Sequence, residues 1–385
     1  VMGTASTIAC MVETAGLSLP GSAAAPAVSA ERFRLSELTG RRAVELAKTA
    51  SEGIFSPRTI LSQKALTNAL TVLQAIGGST NALIHFTAIA ARLGIKVDLD
   101  RFDQLGRSVP VLVDLKPTGS HYMEHLFEDG GIMGVLQELR SHLYLDCMTV
   151  SGKTLGEEID AAKMSKARKV IRIASEPIYP VGGLAVLQGN LAPRGAVIKH
   201  SAASPNLLKH RGRAVVFSSL EDLANRIDSP DLDVNPDDIL VLQNAGPKGA
   251  PSMPEAGYLP IPKKLAQAGV KDMVRISDAR MSGTAFGTIV LHVTPESAEN
   301  GPLAIVRNGD MIMLDVEKRL LQLEIDDAEM QRRLTELGSS TQRLNIPESG
   351  YRHLYLTSVT QADIGCDFDF MVPAASAIAP ILKGK

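Results

Sequence analysis

Apolar residues recur at helical spacing through the first part of the chain. Ile8, Met11, Val12 and Ala15 mark one helix, and Leu35, Leu38, Val44, Leu46 and Ala47 mark an amphipathic one over 31–52. Residues 58–76 carry Ile60, Leu61, Ala65, Leu66, Ala69, Leu70, Leu73 and Ile76, the pattern of a well-buried helix. Gly77-Gly78-Ser79-Thr80-Asn81 then reads as a glycine hinge and a capping hydroxyl, opening a helix with Ala82, Leu83, Phe86, Ile89 and Ala90. His85 on that helix reads as structural. Further on, a short strand (Val109 to Leu115) alternates with helices near 122–128, 131–143 and 155–162. Such alternation predicts an α/β domain with a parallel sheet over residues 1–170.

The period then shortens. Val181 to Leu187, Gly195 to Lys199, Arg213 to Phe217, Asp238 to Leu242, Leu303 to Val306, Met311 to Val316 and Leu320 to Ile325 are short β-rich runs. Glycine turns and a helix at 219–227 separate them, and a helix at 327–336 follows. Many short strands with glycine turns predict a β-barrel-like domain with flanking helices over 171–340. The tail, 341–385, is rich in Gly, Ala and Pro and is expected to pack back on the body. The fold class is therefore α/β: a parallel-sheet α/β domain followed by a barrel.

Composition narrows the function. Over 385 residues, 45% hydrophobic and 21% charged describe a soluble globular protein, and a net charge of −2 gives no electrostatic draw toward nucleic acid or an anionic membrane. Aromatics at 4% and no tryptophan leave little for base-stacking surfaces. Cys10, Cys147 and Cys366 lie far apart with no CxxC, which argues against a disulfide framework and against a metal cluster held by this chain's own thiolates. No apolar run reaches spanning length, so the expected setting is cytoplasmic.

The chemistry concentrates in Ile276-Ser277-Asp278-Ala279-Arg280-Met281-Ser282-Gly283-Thr284-Ala285-Phe286-Gly287-Thr288. Val270, Met273 and Val274 before it predict a short buried strand, and its glycines allow backbone N–H groups to approach a ligand. Near the start, Gly3-Thr4-Ala5-Ser6-Thr7 places Ser or Thr at a helix N-cap, where N–H groups meet anions. There is no GxGxxG after a strand and no GxxxxGK[ST], so nucleotide binding finds little support.

Six motifs stand in order: Met2-Gly3-Thr4-Ala5-Ser6-Thr7, Leu17-Ser18-Leu19-Pro20-Gly21, Gly77-Gly78-Ser79-Thr80-Asn81, Gly182-Gly183-Leu184-Ala185-Val186-Leu187-Gln188-Gly189-Asn190, Gly246-Pro247-Lys248-Gly249 and Asp278-Ala279-Arg280-Met281-Ser282-Gly283. Together they resemble the iron–sulfur dehydratase family of dihydroxy-acid, phosphogluconate and sugar-acid dehydratases. The resemblance implies a hydro-lyase that takes a 2,3-dihydroxy carboxylate to its 2-keto-3-deoxy acid. It implies an iron–sulfur Lewis acid, 2Fe–2S rather than 4Fe–4S, and Mg2+. Ser282 matches the family's serine base, and Glu255 matches a carboxylate ligand of Mg2+. Ser6, Thr7, Gly283 and Thr284 are the implied substrate contacts. The family's cluster cysteines are expected upstream of Val1, with none in this chain. Ala279 and Met281 look closer to the sugar-acid enzymes, so an aldonate is the first substrate class and 2,3-dihydroxyisovalerate, in branched-chain amino-acid biosynthesis, the second. A homodimer or homotetramer is implied, with no nucleic-acid or membrane partner. Two rival readings are a cluster-less, non-catalytic paralogue and a small-molecule binding module that holds an anion at its glycine-rich helix starts.

Overall fold

The computed structural model describes residues 1–49, 53, 55–162, 168–250, 259–283, 285–339, 344–373 and 379–382. The chain forms two compact units, Val1–Leu184 with Pro373–Lys385, and Ala185–Val372.

The first unit is mainly helical. It holds α1 (Thr4–Thr14), α2 (Ala30–Lys48), α3 (Pro57–Ile60), α4 (Gln63–Ala75), α5 (Thr80–Arg92), β1 (Ile95–Lys96), α6 (Leu99–Gly106), α7 (Met123–Glu128), α8 (Gly131–Glu138) and α9 (Leu155–Ala161). Every residue of α4 from Ala65 to Ala75 is buried, which makes it the central rod against which α1, α5 and α6 pack. The expected strand at Val109–Leu115 is an extended segment with single bridges at Val111, Val113 and Leu115. No long ladder forms because its partners are irregular: Val111 meets Tyr179, Val113 meets Ile171 and Leu115 meets His121. Among the described residues the parallel pairing here is short: the Leu115–His121 bridge, and β1 against a C-terminal strand over two residues.

Gly182 and Gly183 close this unit. Gly183 donates to the carbonyl of Gln74 (3.0 Å), and the Leu184 N–H donates to Oε1 of Gln74 (3.0 Å). A Cβ on Gly182 would stand 2.4 Å from that oxygen, so only glycine allows the chain this close to the end of α4.

The second unit is a closed barrel. Its strands are β2 (Ala185–Gly189), β3 (Ala192–Ile198), β4 (Lys209–Phe217), β5 (Ile239–Leu242), β6 (Arg275–Ser277), β7 (Ile289–Leu291), β8 (Met311–Asp315) and β9 (Leu320–Leu323). The order around the barrel is β2-β3-β7-β6-β5-β4-β8-β9, closed by a parallel bridge between Gln188 and Leu320. β4, β5, β6 and β7 form a parallel run, while β3–β7, β4–β8 and β8–β9 are antiparallel. β5 shows why an uninterrupted apolar run makes a central strand. Ile239 and Val241 fill the barrel interior with Val274, Ile276 and Val290, whereas Leu240 and Leu242 join an outer layer with Phe217, Leu223 and Met273.

Flanking helices are α10 (Leu220–Arg226), α11 (Lys263–Gln267), α12 (Asp327–Ser339) and α13 (Gly350–Ser358). Leu303–Val306, expected as a strand, falls on a 3-10 turn at Pro302–Ile305. Pro302 occupies its first position and Ala304 N–H bonds to the Gly301 carbonyl, so the backbone starts helically. β7 takes the eighth barrel position. Strand β10 (Ala379–Pro380) returns to the first unit, where it pairs with β1.

Candidate active site

The loops after β5 and β6 leave the carboxyl ends of adjacent parallel strands, the edge where open and closed α/β sheets place ligands. The β6–β7 loop carries Ser282. Its course is set by burial of alternate kinds of residue. Asp278 is buried, with Oδ1 accepting from the Ala245 N–H (3.0 Å) and Oδ2 from the Ser297 N–H (2.8 Å). Ser277 Oγ donates to the Leu242 carbonyl and accepts from the Ala279 N–H. Ala279 and Met281 then sink into the outer apolar layer, which leaves Ser282 exposed between two buried residues, Met281 and Gly283.

The far end of the loop is tied down by Asp272. Its carboxylate accepts from the Thr288 N–H and Oγ1, the Ser204 N–H and the Arg275 guanidinium. Arg275 is itself buried and also donates to the carbonyls of Leu259 and Phe286. Gly287, at φ 111°, donates to the Ala202 carbonyl. Three residues before Ala202, the Lys199 ammonium is buried without a hydrogen-bond partner among the described residues, and burial pushes its pKa down to about 8.

Two carboxyls behind the loop are perturbed. Burial raises the pKa of Asp278 despite the N–H groups it accepts. Burial, with the neighbouring Asp278 adding to it, pushes Glu296 up to about 7, against the pull of hydrogen bonds from Gly249, Gln361 and Lys248.

In the first unit, Ser6 and Thr7 lie together on α1. The N-cap is Gly3, not a hydroxyl residue as expected, and Ser6 takes over the capping by accepting from the Gly3 N–H (2.9 Å). Ser6 borders an open pocket of about 470 Å³ shared with Val1, Ala24, Pro26, Tyr122 and Glu124. Thr7 is fully buried. Its hydroxyl donates to the Gly3 carbonyl (2.7 Å) and accepts from the Ser79 N–H (3.1 Å). Thr4 Oγ1 lies 3.0 Å from Ser79 Oγ and accepts from Asn81 Nδ2. The first and third motifs therefore knit the starts of α1 and α5 together. Glu13 secures the second motif, accepting from the N–H groups of Gly21 (2.8 Å) and Ala23 (2.6 Å).

Glu255 and Thr284 lie outside the described residues. Among the described residues no group of three or more His, Cys, Asp or Glu is arranged to hold a metal ion. Burial holds the Cys10 thiol well above the usual range and pushes Cys147 up to about 11 and Cys366 up to about 12. Cluster ligation needs thiolates.

Residues 1–158 and 169–366 match the two halves of one family, described as dihydroxy-acid/6-phosphogluconate dehydratase N-terminal and C-terminal. The chain is 48% identical to an L-arabonate dehydratase of Azospirillum brasilense over 97% of its own length and 64% of the relative's. It is 42% identical to a 6-deoxy-6-sulfo-D-gluconate dehydratase of Pseudomonas putida, over 96% of this chain and 63% of that one. A dihydroxy-acid dehydratase of Caldicellulosiruptor saccharolyticus is 41% identical over 94% of this chain and 64% of the relative. The chain belongs to the dihydroxy-acid/6-phosphogluconate dehydratase family, and it spans less than two thirds of the length of these relatives.

Around Ser282, the residue singled out in the sequence, Asp272, Asp278, Glu296 and Gln361 hold the surroundings in place. Only Asp278 stood inside a motif. Asp272, Glu296 and Gln361 stand outside any motif, a weak signal until the chain is folded.

Proposed function

We propose that the whole protein is a hydro-lyase that converts an aldonate to its 2-keto-3-deoxy acid. The observation that carries this is the 48% identity with an arabonate dehydratase across nearly the entire chain, higher than the 41% with a dihydroxy-acid dehydratase. The exposed Ser282, on a loop anchored at both ends, supports it.

In this reading Ser282 takes the C2 proton, the C3–O bond breaks, and the resulting enol tautomerises to the keto acid, with one water lost. A free serine hydroxyl is too weak a base, so the loop must stabilise its alkoxide through nearby positive charge and aligned N–H groups. Gly283 and Thr284 are proposed to contact substrate beside it, and Ser6 is the contact proposed in the first unit. Thr7 serves by fixing the helix starts, since its hydroxyl is committed at both lone pair and proton. Mg2+ at Glu255 and a 2Fe–2S cluster are proposed for the whole protein. Cys10, Cys147 and Cys366 are not proposed as its ligands. A cytoplasmic homodimer or homotetramer completes the proposal; among the described residues no helix is long and apolar enough to cross a membrane.

A pocket that hydrogen-bonds the hydroxyls of a sugar acid rejects an apolar analogue strongly, because its own polar groups would stay buried and unpaired. The test is 2-keto acid formation from arabinonate, xylonate, gluconate and 2,3-dihydroxyisovalerate, measured side by side. A higher kcat/KM on a sugar acid is expected. Preference for the branched acid overturns the substrate class, and no product from any of them overturns the activity.

A further inference from the structure

Behind the proposed base, four segments of the second unit meet on two buried carboxyls. Asp278 joins the segment after β5, through Ala245, to the segment after β7, through Ser297. Glu296, the residue before Ser297, is 1% exposed. Its Oε2 accepts from the N–H groups of Lys248 (3.0 Å) and Gly249 (3.0 Å), and its Oε1 lies 3.1 Å from the same Lys248 nitrogen. There is no slack in this arrangement, since a Cβ on Gly246 would sit 2.6 Å from Oε2. Lys248 in turn pairs through Nζ with Glu299 (2.5 Å).

The fourth segment follows α13. Gln361 is 8% exposed and grips residue 296 twice: its Nε2 donates to Glu296 Oε1 (2.6 Å), and its Oε1 accepts from the Glu296 N–H (2.9 Å). Both ends of the amide are thereby committed, and reversing it sets donor against donor at the Glu296 N–H and acceptor against acceptor at Oε1.

We propose that Glu296, locked by Gln361, is a positioning residue for catalysis, registering the Gly246–Gly249 loop against the Asp278–Ser282 loop. The proposal rests on the assignment of Ser282 as base and of the segment after Gly249 as the carrier of Glu255. Its logic is geometric. The two loops leave neighbouring parallel strands and share no ladder beyond Leu242 and Ser277, so side chains must fix their spacing. Misplacing a reacting group by about an ångström costs on the order of a hundredfold in rate.

The polarity of the pair supplies a test by exchange of partners. Glu296→Gln puts an amide Nε2 against the Nε2 of Gln361, and Gln361→Glu puts carboxylate against carboxylate. The double variant E296Q/Q361E restores every bond except the longer branch from the Lys248 N–H, which reaches Oε1 in the native pair. The amide introduced at position 296 keeps its oxygen for Lys248 and Gly249 and donates its N–H to the carboxylate introduced at position 361. The other oxygen of that carboxylate accepts the backbone N–H of residue 296. In the intact holoenzyme each single variant is expected to lower kcat at least about tenfold, with a smaller change in KM, and the double variant to recover to within roughly threefold. Hydrogen exchange of the amides at 245–249 reads the clamp without turnover, and is expected to quicken about tenfold or more in each single variant and to return in the double.

Unchanged exchange in the single variants overturns the clamp. Quickened exchange with kcat retained overturns its role in catalysis, as does a double variant that recovers exchange but not kcat. If the wild-type holoenzyme dehydrates none of the acids, the activity assignment falls and with it the catalytic role, while exchange still decides the clamp.

Discussion

Asp272 and Thr288 close the base of the Ser282 loop: one carboxylate receives both the N–H (2.9 Å) and the hydroxyl (2.7 Å) of the threonine. The two residues flank β6 and the whole excursion that follows it. Arg275 stands against the same carboxylate at 3.1 Å, and both side chains are 4% exposed.

Asp272→Ala is therefore expected to cost about 3–5 kcal/mol, because it strands a buried guanidinium and the N–H groups of Ser204, Met273 and Thr288 at once. Denaturant unfolding measures it. Burial alone would raise the Asp272 pKa, but hydrogen bonds from Thr288 and Ser204 outweigh it and hold the carboxyl below its ordinary value. The stabilisation is present above the unfolded pKa, about 3.9, and is lost as pH falls through the lower folded value. The variant should lose that acid-side dependence.

Gly287→Ala tests the same anchor from the backbone. The glycine has φ 111°, and an added Cβ would lie 2.1 Å from Arg275 Nη2 and 2.3 Å from Asp272 Oδ1. Strain and a disrupted ion pair together are expected to cost about 2–3 kcal/mol. A melting curve that matches wild type would contradict this.

Ser282→Ala separates chemistry from stability. The side chain is exposed, so unfolding free energy should move by less than about 0.5 kcal/mol. Turnover should fall roughly a thousandfold, within the range for loss of a general base. Retention of more than a tenth of the activity would remove Ser282 from that role.

Glu13 sets a pH dependence of the opposite sign to that of Asp272. Burial pushes its carboxyl up to about 7, against the N–H groups of Ala23 and Gly21, with Glu158 adding to the rise. A raised folded pKa means stability fully present below the unfolded value, about 4.3, and lost as pH climbs through about 7. That share amounts to roughly 4 kcal/mol. Glu296 titrates over the same range, so Glu13→Gln should flatten the fall in unfolding free energy without abolishing it. An unaltered slope in the variant would show that Glu13 does not titrate there.

The barrel was legible where strands are long enough to bury both faces, as at β4, β5 and β8, because apolar runs bounded by glycine turns have few other uses. β7 escaped because three residues, Ile289 to Leu291, carry no period and follow directly on the loop. The run Leu303–Val306 misled because an apolar segment looks the same in a 3-10 turn as in a strand; Pro302 was the discriminating residue. In the first unit α4 and α5 stood out by their spacing, while Val109–Leu115 has strand composition but only single bridges, two of them to partners far along the chain. Ser282 stands in a contiguous motif, which is what made it a candidate. Gln361 could not have been one, since its meaning comes from Glu296, and nothing local marks two residues that meet only in the folded barrel.

The strand order has a consequence for how the protein is made. β4 lies between β5, which follows it closely, and β8, which is synthesised only after β6 and β7. The closing bridge needs Leu320 on β9, and the lock on Glu296 needs Gln361, later still. Contacts this distant in sequence slow folding, since loop-closure entropy is lost before they form. On the ribosome, the segment bearing Ser282 leaves the exit tunnel well before the strands and the glutamine that complete its surroundings. The outer edges of β4 and β2 must wait, unpaired, for β8 and β9 to arrive, and that interval is when the nascent chain is most open to aggregation and to chaperones.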